Sequence, residues 1–352
     1  MKTPPSWHSP LTRLGVILAL LLSPPLSAAP ADSNSLPDPD GKPADMSKPV
    51  KVFILMGQSN MLGFGTVAGN KEGTLEHATK AGKYPFLIND DGAWTTRMDV
   101  RNVRVMNFKD HKNDWLTADK TGRIGPEIGI GWHLGEHFDE PVLVLKSCIG
   151  NRSLGWDLLP PGSKAYEHDG KLQPGYGETP ETAGSGEKYE GKEWYAGKQW
   201  DTDIASARQV LENLEKYYPG AKGYEIAGFA FWQGDKDRYN AAHAATYEKN
   251  LVQFIKALRK EFNAPNAKFV CATLGQTEKG ATGKEGEILN AQLSVDGSAG
   301  KYPEFKGNVA SVYAHPLSKG GASNGHYGKN AETYMNIGLA MGEALVGLYE
   351  DE

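Results

Sequence analysis

Five short runs of almost unbroken apolar residues, each passing into a polar or glycine-containing loop, constrain this chain more than any other feature. They are KVFILM (51–56), PVLVLKS (141–147), YEIAGFAFW (224–232), AKFVCATL (267–274) and NVASVYA (308–314). A strand that is apolar on both of its alternating faces belongs in a sheet covered on both sides, the usual setting of a parallel sheet. Stretches of helical period lie between the runs. Ile204, Ala207, Leu211, Leu214 and Tyr218 recur at spacings of three and four, as do Tyr247, Leu251, Ile255, Leu258 and Phe262. Tyr334, Ile337, Met341, Leu345 and Leu348 repeat the pattern near the C-terminus. Strands alternating with helices predict an α/β fold, a three-layer α/β/α sandwich around a central, mainly parallel sheet. No internal repeat is visible.

With 352 residues, 39% of them hydrophobic, the chain can bury one large core, so a single domain over 49–350 is expected. A net charge of -5 with interspersed signs offers no electrostatic basis for binding nucleic acid or an anionic membrane. Residues 1–29 read as a signal peptide. Lys2 and Arg13 are cationic, LGVILALLLS is an apolar core, and Ser27 to Ala29 are small enough for cleavage. No later stretch approaches the ~20 apolar residues of a membrane span. The expected location is therefore outside the cytoplasm, periplasmic or secreted, with residues 30–48 as a Pro-, Asp- and Ser-rich disordered tether. Cys148 and Cys271 both sit in apolar runs and read as buried thiols rather than a disulfide or a metal site.

In sheets of this kind ligands bind beyond the C-terminal ends of the strands. That rule singles out the loops GQSNM, CIGNRSLGW, QGDKD, GQTEKG and HPLSKGGASNGHYG, which follow the five runs in order. Ser59, in the first, either caps the turn after its strand or is presented as a nucleophile. A nucleophilic serine needs a base, oxyanion donors and a group that orients the base. His326, in the last loop before the final helix, is the first candidate for the base, and His315, at the end of a strand, is the second.

The block MGQSNM, with a late loop histidine, resembles the SGNH hydrolase superfamily, and more narrowly its sialate O-acetylesterase-like branch of carbohydrate esterases. The likeness spans roughly 50–348 and includes FWQGDKD as a third block. It implies the flavodoxin-like sandwich and a serine esterase that removes O-acetyl groups from carbohydrate. In such an enzyme Ser59 is the nucleophile and His326 the base. Its oxyanion hole comprises the Ser59 N–H, the Gly150 N–H and the Gln233 side chain. Asn60, Asn151, Trp232 and Trp194 are the expected substrate contacts. Acetylated carbohydrate is the partner, and neither cofactor nor metal is required. The chain departs from the family at the orienting acid: Ser323 stands where relatives carry Asp, three residues before the histidine. Asp235, which replaces a family Glu, is the expected substitute, with Asp237 or a backbone carbonyl as alternatives.

Two other readings compete. His133 to His137, HLGEH, matches an inverted zinc-protease motif, or else lies on a packed helix rich in glycine. The insertion over about 159–200 carries Tyr166, Tyr176, Tyr189, Trp194, Tyr195 and Trp200. Those rings either form a stacking platform for sugars or anchor a long loop. A non-catalytic glycan-binding relative is the alternative to an esterase. The phosphate-loop ending and the G-x-S-x-G elbow are both absent.

Overall fold

The structure is a computed structural model describing residues 43–118, 122–184 and 193–350, with the isolated positions 1 and 39. The export segment, most of the tether and Tyr189 fall outside the described residues. Seven strands form the main sheet: β1 (Val50–Gly57), β2 (Thr96–Met106), β3 (Lys109–Thr117), β4 (Val142–Ser147), β5 (Tyr224–Trp232), β6 (Lys268–Ala272) and β7 (Val309–Val312). Their order across the sheet is β7-β6-β5-β1-β4-β2-β3. Every neighbouring pair is parallel except the β2–β3 hairpin at one edge. The five apolar runs are all strands of this sheet, and β1 lies at its centre.

The hairpin was not legible as strand. Its residues, TRMDVRNVRVM and KDHKNDWLT, are too polar for a doubly buried strand. An edge strand needs only one covered side, and β2 buries Arg97 and Arg101 by pairing them. Arg97 meets Asp99 and Glu136, and Arg101 donates to the Tyr217 carbonyl at 2.8 Å.

Five longer helices cover the faces: α1 (Glu127–His137), α2 (Lys198–Glu212), α3 (Ala241–Glu261), α4 (Gly283–Ser294) and α5 (Ala331–Glu350). The alternation of β1 sorts its side chains between two cores. Val50, Val52, Ile54 and Met56 meet Trp200, Ile204 and Phe254 of α2 and α3 on one face. Phe53 and Leu55 meet Ile128 of α1 and Tyr334 of α5 on the other. Helices α1 and α5 touch at the backbone: a Cβ at Gly129 would lie 2.3 Å from the Leu339 nitrogen, and one at Gly338 2.4 Å from the Pro126 oxygen. Of the glycines before HLGEH, Gly129 is there for this contact, whereas Gly131 makes room for the Leu116 and Val144 side chains of the sheet.

The insertion is tied down mainly by its aromatic rings. Tyr166 Oη donates to the Ala242 carbonyl at 3.1 Å, and the hydroxyls of Tyr176 and Tyr195 both reach the Asp201 carboxylate. Trp200 is core. Ahead of β1, inside the stretch expected to be a disordered tether, the Asp45 N–H donates to the Asp139 carbonyl at 2.7 Å, so the end of that stretch is fastened to the body and is not disordered.

Candidate active site

Strand β1 stops at Gly57, whose φ of +144° and closeness to β5 admit no side chain: an added Cβ would lie 2.4 Å from the Trp232 oxygen. The chain then makes one helical turn, Ser59–Leu62. Gln58 fixes where that turn begins. Its buried Oε1 accepts from Gln233 Nε2 at 3.1 Å and from the Lys236 N–H at 3.2 Å, and its own N–H donates to the Trp232 carbonyl. The flanking Gln58 and Asn60 are buried, whereas Ser59 is half-exposed. No side chain caps the turn, and the Ser59 hydroxyl has no hydrogen-bond partner among the described residues. The helix-cap reading of Ser59 therefore fails, and the hydroxyl is available for chemistry.

Gly150, just past β4, faces it: a Cβ there would stand 3.6 Å from Ser59 Cβ. The N–H groups of Ser59 and Gly150 are both without hydrogen-bond partners among the described residues. Two unengaged donors beside one hydroxyl can hold a developing oxyanion. Gln233 does not join them. It is fully buried, and its Nε2 already donates to Gln58 Oε1, the Arg152 carbonyl at 2.8 Å and Asp237 Oδ2 at 2.5 Å. Its Oε1 accepts from Tyr247 Oη at 2.8 Å. A side-chain amide carries only two N–H groups, so none is left for an oxyanion. Gln233 instead ties three active-site loops together. Asp237 assists from beneath, accepting from the Leu154 and Gly155 N–H groups at 2.9 and 2.8 Å. Burial pushes its carboxyl up to about 6, against those hydrogen bonds.

His326 arrives from the far side of the sheet. The ring lies flat on Phe64, with centroids 3.9 Å apart and planes at 9°. The helical turn of Ser59 packs against the Ser323–Lys329 segment, so base and nucleophile share one surface. His326 and Tyr327 both have φ of 52°, a left-handed conformation that costs of order 1–3 kcal/mol per residue and needs support. Tyr327 supplies it: fully buried, it stacks on Trp232 at 5.7 Å and its hydroxyl accepts from the Gly275 N–H. Burial lowers the His326 pKa from its usual 6.5; Asp235 opposes that shift, while Arg123 and Lys329 add to it.

Asp235 does not orient the ring by a hydrogen bond. Its Oδ1 accepts from Ser323 Oγ and from Arg238 Nε at 2.8 Å, and the His326 ring nitrogens have no hydrogen-bond partner among the described residues. Ser323, standing where relatives carry the acid, joins the histidine loop to Asp235, which acts on the ring by charge alone. Asp237 is committed to the Gly150 loop, and Asn324 is exposed. His315 is held otherwise, with Nδ1 3.0 Å from the Gly275 carbonyl.

The expected substrate contacts divide. Trp232 is fully buried, donates from Nε1 to the Thr273 carbonyl and cannot touch a ligand. Asn60 is fully buried too, with neither polar side-chain atom partnered. Asn151 is exposed, at φ 57°. Trp194 is half-buried and carries the Arg152 guanidinium over its ring at 4.7 Å. Phe64, which seats the base, went unnoticed in the sequence; its position five residues after Ser59 was the available signal.

HLGEH lies on α1 away from these loops. Glu136 is ion-paired with Arg97, and His133 is half-buried against Gly342, where loss of solvent lowers its pKa to about 4. Among the described residues no group of three His, Cys, Asp or Glu is placed to hold a metal ion. Cys148 and Cys271 are free and buried.

Comparison with known proteins gives a family match over residues 181–346, to the family described as carbohydrate esterase, sialic acid-specific acetylesterase. That stretch holds Gln233, Asp235 and His326; Ser59 and Gly150 lie before it. A search of curated proteins finds no match. Among solved structures, one protein from Arabidopsis thaliana is similar at 16% identity and a TM-score of 0.50, over 85% of this chain and 98% of its own. A carbohydrate acetylesterase from Xanthomonas citri is similar at 10% identity and a TM-score of 0.48, over 86% of this chain and 57% of its own. NanS is similar at 10% identity and 0.48, over 87% and 99%.

Proposed function

We infer that this chain is an exported carboxylic ester hydrolase of the sialate O-acetylesterase-like SGNH branch, which removes O-acetyl groups from a carbohydrate by a serine–histidine mechanism. Ser59 Oγ attacks the ester carbonyl, and His326 takes its proton and returns it to the departing sugar hydroxyl. The N–H groups of Ser59 and Gly150 hold the oxyanion. Water, activated by the same imidazole, then releases acetate. One observation carries this reading: an unengaged serine hydroxyl beside two unengaged N–H donors, packed against the loop that bears the histidine. Release of acetate from a panel of acetylated polysaccharides tests it. Binding of those polysaccharides without any acetate release would identify a glycan-binding relative instead. Export rests on the first 29 residues and is checked by sequencing the N-terminus of the mature protein.

The pH profile should carry the signature of a dyad. A general base works only when neutral, so kcat/KM rises with pH through the pKa of His326. Because burial depresses that pKa, the acid limb should be centred below 6.5. Asp235→Asn removes a charge that raises it, and should move the limb to still lower pH. Arg123→Gln removes a charge that lowers it, and should move the limb up. With no hydrogen bond from Asp235 to the ring, the Asp235→Asn plateau should fall by less than about tenfold. An acid that holds a base's tautomer is worth about 10⁴. A loss of that order, without a shift of the limb, would restore Asp235 as the orienting acid.

A further inference from the structure

We propose that Lys146 is a positioning residue for the nucleophile: its ammonium, held by Glu127, grips the end of the turn that carries Ser59 and so sets Ser59 against Gly150. The proposal rests on the serine–histidine reading above and adds to it a part that lies beneath the reacting atoms.

The single helical turn Ser59–Leu62 cannot hold its own shape, because short helices are marginal and the last carbonyls of any helix lack partners within it. Its start is fixed by the buried Gln58 side chain. Its end is fixed by Lys146, whose Nζ donates to the Leu62 carbonyl at 3.0 Å and to Glu127 Oε2 at 2.5 Å. The other oxygen of Glu127 accepts from the Gly125 N–H at 3.1 Å. Gly63, the first residue after the turn, lies directly on Gly125. Its φ is +88°, and an added Cβ would stand 2.3 Å from the Gly125 Cα. A Cβ on Gly125 would in turn meet the ion pair, 2.9 Å from Lys146 Nζ. Gly65 and Thr66 then pair antiparallel with Ile124 and Arg123. The exit from the turn is thus laid along the segment that leads into α1, with the ion pair beneath the place where the two meet.

Packing alone does not account for a lysine here. Strand β4 reads VLVLKS, and Lys146 is 1% exposed. A buried ion pair recovers little more than its desolvation costs, and an apolar pair of similar volume often serves stability as well or better. Register makes the position less favourable still. Arg104 of β2 stands beside Lys146, with Lys112 of β3 beyond it, and like charges opposite one another destabilise a sheet. What the ammonium supplies, and a leucine cannot, is a donor to Leu62. The effect of that donor reaches both oxyanion N–H groups. A Cβ on Gly150 would lie 3.6 Å from Ser59 Cβ and 3.7 Å from Leu62 Cδ1, so Ser59 and Leu62 together form the surface that Gly150 faces. A shift of Leu62 carries the Ser59 N–H and hydroxyl with it, and a misplacement of ~1 Å can slow a reaction by on the order of 10²-fold.

The test removes both charges at once, as Lys146→Met/Glu127→Gln, so that no ion is left buried alone and the amide oxygen still accepts from Gly125. This variant should fold and turn over an aryl acetate with kcat lower by on the order of 30-fold and KM within about twofold. The acid limb of its kcat/KM profile should keep its midpoint, since the charges that bear on His326 are Asp235, Arg123 and Lys329. Phosphorylation by diethyl 4-nitrophenyl phosphate, in which Ser59 Oγ bonds to phosphorus and 4-nitrophenolate leaves, should slow by the same factor. Glu127→Gln alone keeps the Lys146 donor and should lose less than about threefold in kcat. An undiminished kcat in the double variant, a displaced limb, or a Glu127→Gln as slow as the double variant each overturns the proposal. So does a double variant that fails to fold, which assigns the pair to stability. Mass spectrometry of the phosphorylated wild type separates this from the reading of activity. Label on Ser59 keeps the serine mechanism whatever the variants show; a wild type neither labelled there nor active removes the mechanism and the positioning role together.

Discussion

Ser59→Ala should leave a folded protein that has lost at least about 10³-fold in kcat on acetylated carbohydrate and on aryl acetates alike. Folding is expected to be unaffected because the hydroxyl is half-exposed, caps no helix and forms no hydrogen bond among the described residues. Chemistry should be abolished because nothing near it can replace the nucleophile. Asn60 is fully buried and Gln58 is occupied by its three donors. Thermal melting and circular dichroism establish the first half; initial rates of acetate release establish the second. Near-normal rates in a correctly folded Ser59→Ala would place the nucleophile elsewhere.

Replacement of the base should cost about as much. His326→Asn is the informative substitution, since Asn tolerates the left-handed backbone that His326 adopts, so the loop keeps its course while the imidazole is lost. Serine and histidine act as a unit, so the double variant Ser59→Ala/His326→Asn should be no slower than the worse single variant by more than about threefold. Multiplying losses would show two independent contributions and refute the dyad. His315→Ala should lower kcat by less than about tenfold, because that ring is bound to the Gly275 carbonyl and is no part of the Ser59 surface. If His315→Ala is the damaging change and His326→Asn the mild one, the base has been misassigned.

Each expectation succeeded or failed for a physical reason. The five central strands were legible because burial on both faces demands continuous apolar residues, a one-dimensional signal. The edge hairpin was hidden because ion pairs and backbone carbonyls, distant in sequence, satisfy its arginines. The same holds in the site. Ser59, Gly150 and His326 were named from strand ends, loop order and a family-like block, all of which the chain displays in linear form. Gln233 was misread because its block matched while its donors were already spent on Gln58, Arg152 and Asp237. Trp232 was misread because aromatic character shows what a side chain can do but not whether solvent reaches it.

By itself the sequence determined the layered α/β architecture, the strand whose end presents the serine, and the chemistry available to the loops. Periodicity and residue type are local properties, and each was enough for its purpose. Tertiary structure alone decided how the base is held. Phe64 under the imidazole, Tyr327 behind it and Ser323 bound to Asp235 bring together groups from the segments after β1 and β5 and from the last loop. It also decided that Arg104 stands between Lys112 and Lys146, because that depends on the register of three strands. Hydrogen-bond satisfaction and register are relations between distant segments, and they acquire values only when the chain has folded.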